Sequence, residues 1–325
     1  MRFLFKTAYE QDIALAKHAG HRFWYGALMA ALLVAPWALP EYWLAQISFV
    51  LIYSIAGLGL MLLAGFTGQV SIGHAAFMGV GGYTQAVLTG WGVPFPLALA
   101  GATALSAVMG VVISVPALRV KGIYLGIATL AFGFIVEEVF ARWESVTGGN
   151  AGIHIKPPNL FGLKLDTQES FYYLCLALCV AITLGVLNLL RAPTGRAFVA
   201  IRDSEISAQS MGINLAWYKG LAFALSAAIA GVAGALYAHK MGFISPDQFS
   251  LLQSVELLLL VVVGGLGFVH GAFLGAIFII SMPQLIALAK DLQGEPEDGL
   301  NTAERAFYDA LAQNDSAVQG QNGKP

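Results

Sequence analysis

From residue 65 to residue 74 the chain reads Gly-Phe-Thr-Gly-Gln-Val-Ser-Ile-Gly-His, the most polar run in an otherwise apolar region. Thr67, Gln69, Ser71 and His74 supply hydroxyl, amide and imidazole groups, and Gly65, Gly68 and Gly73 interrupt them. Such groups make hydrogen bonds without a fixed charge. That suits the passage of a small polar solute better than the making and breaking of covalent bonds. Two readings stand. In one, the run is an unwound or re-entrant segment whose side chains line a translocation path. Irregular backbone at membrane depth is tolerated only where protein or a water-filled cavity satisfies it. In the other, it is a plain turn between two spans, with His74 one turn into the next helix.

A second polar run is Arg191–Lys219, RAPTGRAFVAIRDSEISAQSMGINLAWYK. It sets Arg191, Arg196, Arg202 and Lys219 against Asp203 and Glu205. Residues 191–195 read as a loop leaving a span. Residues 196–211 contain no Gly or Pro and predict one short helix, which Gly212-Ile-Asn214 ends. On that helix Ala197, Ile201, Ala208 and Met211 share a small apolar face, while Arg202, Asp203 and Glu205 point elsewhere. The pattern suits docking into a groove on a partner protein. It suits equally a loop helix that joins two spans.

Other chemistry is absent from the sequence. There is no P-loop (GxxxxGK[ST]), no nucleophile with a base beside it and no metal-ligand set. Cys175 and Cys179 lie four apart in one apolar run without His, as small core residues do. Glu137, Glu138 and Glu256 fall near span ends, so the chain lacks the mid-membrane ionisable groups that a proton- or sodium-driven carrier uses. If transport here uses ATP, the ATPase is another chain.

The elements that must position these residues are membrane helices. Of 325 residues, 58% are hydrophobic and 11% charged, against about 25% charged in soluble domains. Apolar runs near 20 residues recur, the length of a membrane helix rather than a barrel strand. The fold class is therefore all-α, a polytopic membrane protein of about eight transmembrane helices. They are expected at 23–40, 44–65, 74–89, 95–115, 122–140, 171–190, 221–238 and 255–281. Residues 1–22 form a polar N-terminal segment, 23–285 the permease domain and 286–325 a polar tail. Residues 141–170 form a polar excursion with short local structure. The net charge of −2 gives nucleic acid no basic surface; the partner that composition implies is the lipid bilayer.

With the N-terminus in the cytoplasm, the loops at 1–22, 116–121 and 191–220 hold ten Lys and Arg on the inside. The outer segments hold four, namely Arg142, Lys156, Lys164 and Lys240. The positive-inside rule then puts 191–219 in the cytoplasm, and an even number of spans returns the C-terminus there. Gly122 and Gly126, and Gly267, Gly271 and Gly275, recur every four residues. Small residues so spaced let helices approach closely in lipid, within the chain or against another subunit. His74-Ala-Ala-Phe77-Met-Gly79 echoes His270-Gly-Ala-Phe273-Leu-Gly275. Placed in an outward-going and an inward-going span, the two would mark an inverted repeat.

Three segments carry a wider resemblance: GLMLLAGFTGQVSIGHAAFMGVGGYT (59–84), GRAFVAIRDSEISAQSMGINLAWYKGLAFALSAAIAGVAGALYA (195–238) and VELLLLVVVGGLGFVHGAFLGA (255–276). Across 44–285 the chain resembles the permease of the branched-chain amino-acid ABC importer family, of the LivM-like type. The resemblance implies a bacterial inner-membrane importer for leucine, isoleucine or valine, built with a sister permease and two ATP-binding subunits. A periplasmic solute-binding protein would feed it. This chain would be no enzyme and hold no cofactor; ATP and Mg would sit on the partner ATPase subunits. Arg196, Ala197, Arg202, Asp203, Glu205, Ala208 and Gly212 match the family pattern that engages the ATPase. Urea, short amides or other amino acids would suit the same permease type. A channel or carrier without ATP, or a membrane scaffold, is the contrasting class.

The resemblance departs at the C-terminal side. Family members continue, after the helix matched here by Ser281-Met-Pro-Gln-Leu285, into a further apolar span. Here a polar stretch follows in which no span can be drawn, and 303–312 reads as a short amphipathic helix.

Overall fold

The computed structural model describes residues 19–120, 122–160, 163–164 and 167–293. Most of the 1–22 segment, the tail beyond 293 and the helix expected at 303–312 lie outside the described residues. Helix α1 (Ala19–Ala38) and α2 (Glu41–Leu60) meet at Leu39-Pro40. A π-helical stretch, Met61–Phe66, extends α2, and an irregular segment, 68–73, leads into α3 (His74–Gly90). Helices α4 (Phe95–Ala117) and α5 (Ile123–Arg142) follow. The polar excursion holds the short helix α6 (Glu144–Thr147), a 3-10 turn and strands β1 (Ile153–His154), β2 (Asn159–Leu160) and β3 (Leu163–Lys164). Then come α7 (Gln168–Arg191), α8 (Pro193–Asp203), α9 (Glu205–Ser210) and α10 (Leu215–Met241). Strand β4 (Phe243–Ile244), a 3-10 turn, α11 (Leu251–Gly264) and α12 (Val269–Gln293) complete the order. Strand β1 pairs antiparallel with β4, which ties the excursion to the end of α10, and β2 pairs with β3. Among the described residues, seven helical stretches are long and apolar enough to cross a membrane, and Phe23–Ala38 is a shorter apolar helix. The all-α polytopic expectation holds.

Helix α10 lies at the centre, packed against α2, α3 and α4. In lipid there is no hydrophobic drive between helices, so close contact must come from small residues and interhelical bonds. A Cβ on Gly59 would stand 2.8 Å from the Ser226 carbonyl, and the Ser226 hydroxyl donates back to the Gly59 carbonyl at 2.7 Å. Gly81 lies against the backbone of Gly231, Gly231 against Ser106, and Gly234 against the Met78 carbonyl. The core built this way has Ile52, Ile55, Leu60, Phe77, Phe223 and Leu236 without solvent exposure. Residues to Ile280 form one compact unit. Those from Ser281 form a second, whose described part is the end of α12 with Pro283.

The eighth span, expected unbroken over 255–281, is two helices. Gly265 (φ 104°) and Gly267 (φ 85°) adopt conformations that a side chain strains, and the chain reverses between them. Gly271 packs on the Gly264 carbonyl and Gly275 on the Leu260 backbone, so α12 runs antiparallel to α11. Two expectations change with that reversal. The even count that returned the C-terminus to the cytoplasm is lost. The segments opened by His74 and His270 also run in the same sense, because α11, antiparallel to α12, is antiparallel to α3 as well through Ser254 to Ala75 and Phe249 to Gly82. The echo is therefore no inverted pair. The glycine rows change too. Gly267 sits in the turn and Gly122 (φ 58°) before α5, so neither shares a helix face with its expected partners.

Candidate functional site

The irregular segment begins where α2 loosens. The Thr67 hydroxyl and the Gln69 backbone N–H both donate to the Leu63 carbonyl, at 2.5 and 3.1 Å, and Gln69 Nε2 donates to Thr67 Oγ1 at 3.1 Å. Beyond Thr67 the backbone is extended enough that residues alternate: Thr67, Gln69 and Ser71 are buried, while Gly68 and Val70 are exposed. That period of two is the pattern of an extended chain. Other helices accept from backbone N–H groups in the irregular segment and in the first turn of α3. The Ile72 N–H donates to Thr129 Oγ1 at 3.0 Å, and the Ala75 N–H donates to Ser254 Oγ at 3.1 Å. Gly73 lies so close to the Thr129 carbonyl that no side chain fits. Of the two readings, the backbone is that of an irregular, unwound segment and not of a plain turn. His74 is the first residue of α3, not one turn inside it.

Four polar atoms of this segment remain unsatisfied. Gln69 Oε1, Ser71 Oγ and both ring nitrogens of His74 are buried and have no hydrogen-bond partner among the described residues. The His74 ring lies edge-on to Phe77 at 5.8 Å. Unpartnered buried polar groups cost stability. Here they fall within six residues, 69–74.

The second site is the α8–α9 segment. Pro193 sets φ for the first turn of α8, so this helix starts three residues before the expected one and ends at Asp203. Ser204 is extended (φ −163°) and caps α9, its hydroxyl accepting from the Ser207 N–H at 3.3 Å. A serine that bonds its own backbone competes with helix, so the single helix expected over 196–211 is two. Gly212 (φ 84°) ends α9 as expected. Ala197, Ile201 and Ala208 are buried against the protein's own helices, whereas Met211 is 80% exposed and Ile206 76%. The apolar seam therefore faces inward. The surface open to a partner carries Ile206, Gln209 and Met211, with Arg196 exposed on α8. Glu205 Oε1 and Lys219 Nζ form a 2.6 Å ion pair that fastens α9 to the base of α10. A cleft of about 600 Å³ opens there between Leu118, Gln209, Ile213 and this pair.

Arg202 points back to the first site. Its Nη1 donates to the Gly65 carbonyl at 3.2 Å, and Nε and Nη2 donate to Asp203 Oδ1 at 3.2 and 3.1 Å. Gly126 touches the Ile72 side chain. The structure thus brings together the start of the polar run, α5 and α8. The sequence singled out neither Thr129 nor Ser254. Each is an isolated hydroxyl in an apolar helix, and nothing local marks what it bonds across 57 and 179 residues.

Seven helical stretches long and apolar enough to cross a membrane, with an irregular segment packed among them and a two-helix segment docked at its foot, define a multi-pass membrane protein. Residues 42–300 match the family described as branched-chain amino acid transport system / permease component. The chain is 36% identical over 287 residues to the "High-affinity branched-chain amino acid transport system permease protein LivM" of Salmonella typhimurium, covering 80% of this chain and 68% of that protein. It is 37% identical to the protein of the same name from Escherichia coli, over 73% of this chain and 61% of that one. It is 26% identical to the "Autoinducer 2 import system permease protein LsrC" of Enterobacter sp. (strain 638), over 74% and 69%. No solved structure matches. The chain belongs to the branched-chain amino acid permease family and is a multi-pass protein of the bacterial inner membrane. It spans about two thirds of the length of the first two of these relatives.

Proposed function

We propose that the chain is the permease subunit of an ABC importer and forms part of the path by which leucine, isoleucine or valine crosses the inner membrane. The observation that carries this is the 36–37% identity to two permeases so named. The geometry supports it in two places. Thr67, Gln69, Ser71 and His74 lie on one unwound segment, where they serve a solute whose ammonium and carboxylate need hydrogen bonds. Segment α8–α9 presents Ile206, Gln209 and Met211 beside the cleft above Glu205–Lys219, a surface that an ATP-binding subunit can seat on. The glycine-packed helices then rock between outward- and inward-open states as that subunit binds ATP. The basic loops at 116–121 and 191–219 put this surface in the cytoplasm. ATP and Mg belong to two partner ATPase subunits; a sister permease and a periplasmic solute-binding protein complete the assembly.

A second solute class is favoured by one observation, the similarity to an autoinducer 2 permease. Both readings share the importer type. The test is uptake of radiolabelled leucine into cells that lack other branched-chain transporters and express this chain with the ATPase, sister permease and binding-protein genes beside it. Saturable uptake blocked by isoleucine and valine is expected. Uptake absent for all three, with the ATPase still co-purifying, would leave the importer type standing and reject the solute.

A further inference from the structure

A junction of four backbone segments links the two sites, and the Arg202 side chain threads it. The π-helical stretch ends without an intrahelical donor for the Gly65 carbonyl, because the chain unwinds before a fifth residue can supply one. Arg202 Nη1 supplies it, at 3.2 Å. The aliphatic stem of the same arginine lies under Gly68 (φ 68°), where an added Cβ would be 3.0 Å from Arg202 Cγ. The second helix break, at 265–268, arrives from the other side. A Cβ on Gly267 would be 3.4 Å from Arg202 Nη1, while a Cβ on Gly65 would be 2.7 Å from the Gly267 nitrogen. The Gly267 N–H donates to Met61 Sδ at 3.2 Å, which closes the junction on the α2 side. The remaining guanidinium donors bond Asp203 in the last turn of α8, which orients the group.

We propose that Arg202 is a positioning residue that transmits movement of α8 to the unwound segment and, in the state described here, holds the inner end of that segment shut. This rests on the importer reading for what moves α8; the seal itself does not. A rigid planar fork with donors in two directions, on a stem that lies against Gly68, can pull on a carbonyl and press on a glycine with one displacement, which the point-like ammonium of a flexible lysine cannot do. Gln69 and Ser71 lie four and six residues beyond Gly65, so any shift of Gly65 and Gly68 acts directly on the unpartnered groups. Arg202 then engages the chain's own pathway. Contact with the ATPase falls to Ile206, Gln209 and Met211.

The test uses thiol accessibility in inside-out membrane vesicles with a membrane-impermeant charged maleimide. Gln69→Cys places a thiol at a buried position, and native Cys175 and Cys179, buried on α7, report loss of fold. With Arg202 present, position 69 is expected to label slowly. Arg202→Met keeps the stem and removes every donor, and is expected to raise labelling at 69 by about tenfold while 175 and 179 stay silent. Unchanged labelling at 69 would overturn the proposal. Should 175 and 179 react as well, Arg202→Lys decides by the same readout: a selective rise at 69 supports the seal and no rise rejects it. A second measurement separates this proposal from the importer reading. In the assembled complex, Arg202→Met is expected to leave ATPase co-purification intact while uncoupling hydrolysis from uptake. Loss of the ATPase from the variant alone would make Arg202 a docking residue and overturn transmission. Failure of wild type to hold an ATPase would reject the importer reading and leave the seal to the labelling result.

Discussion

His74 and His270 open the same six-residue pattern, His-x-Ala-Phe-x-Gly, each at the start of a helix that follows a glycine-bearing break. Their surroundings are opposite. His74 has no solvent exposure and no partner for either ring nitrogen among the described residues. His270 is exposed, stacks on Tyr25 at 6.0 Å between ring centroids and has Nε2 2.6 Å from the Tyr25 hydroxyl. The difference comes from the breaks. Segment 68–73 runs irregularly among other helices; α5 accepts from its Ile72 N–H, and α11 accepts from Ala75 at the start of the helix that follows. Segment 265–268 is a tight reversal whose side chains Leu266 and Phe268 face outward, and the positive φ of Gly265 and Gly267 makes it possible. A broken membrane helix can thus be a site or merely a corner. What decides is whether the polar groups that the break exposes end up inside the protein.

The sharpest way to break this comparison is at the glycines. A methyl on Gly73 would meet the Thr129 carbonyl, backbone against backbone, whereas nothing lies within 4 Å of the position on Gly265. Gly73→Ala is therefore expected to cost about 3 kcal/mol through overpacking. Gly265→Ala should cost only the strain of its φ of 104°, on the order of 1–2 kcal/mol. Denaturant unfolding in mixed micelles, followed by circular dichroism, measures both. Equal costs would mean that the two breaks are built alike. Next comes the pair of histidines. Removing an unpartnered buried polar group relieves a desolvation cost, so His74→Leu is expected to hold or raise stability by about 1 kcal/mol. It should at the same time lower uptake about tenfold, equivalent to roughly 1.4 kcal/mol. His270→Leu should leave uptake within about twofold. Uptake unaffected by His74→Leu would remove the unwound segment from the pathway.

How much of this was legible in the sequence depended on whether the signal was local. Helix type followed from apolar run length, though helix number did not, and the polar run with its glycines stood out at once. The unwinding itself was not decidable, because Gly-x-x-Gly with Ser and Thr is equally the chemistry of a turn. What separates the cases is a hydroxyl on another helix waiting for each freed N–H, Thr129 for Ile72 and Ser254 for Ala75. The α8–α9 segment was found by charge and length, yet the side its seam faces was left open. Ala197, Ile201 and Ala208 mark an apolar stripe without saying whether it meets a partner or the chain's own core. Ser204 hid the break between the helices, since a serine is neutral in a helix until its hydroxyl caps the next one. The reversal at 265–268 hid behind an apolar run of normal span length.

The last contrast concerns the long-range polar contact near each histidine. Ala75 N–H bonds Ser254 Oγ in the interior, and Tyr25 Oη meets His270 at the surface. Ser254→Ala leaves a buried amide without an acceptor, which is expected to cost about 2 kcal/mol. It should also let the first turn of α3 fray, seen as faster amide exchange at Ala75. Tyr25→Phe removes a bond that water or lipid headgroups can replace, and about 0.5 kcal/mol is expected. Both substitutions delete one oxygen and add no volume, so packing cannot account for a difference between them. If Tyr25→Phe costs as much as Ser254→Ala, then α3 and α12 start in equivalent surroundings. The burial of His74 would in that case be incidental to its break rather than the reason the break is there.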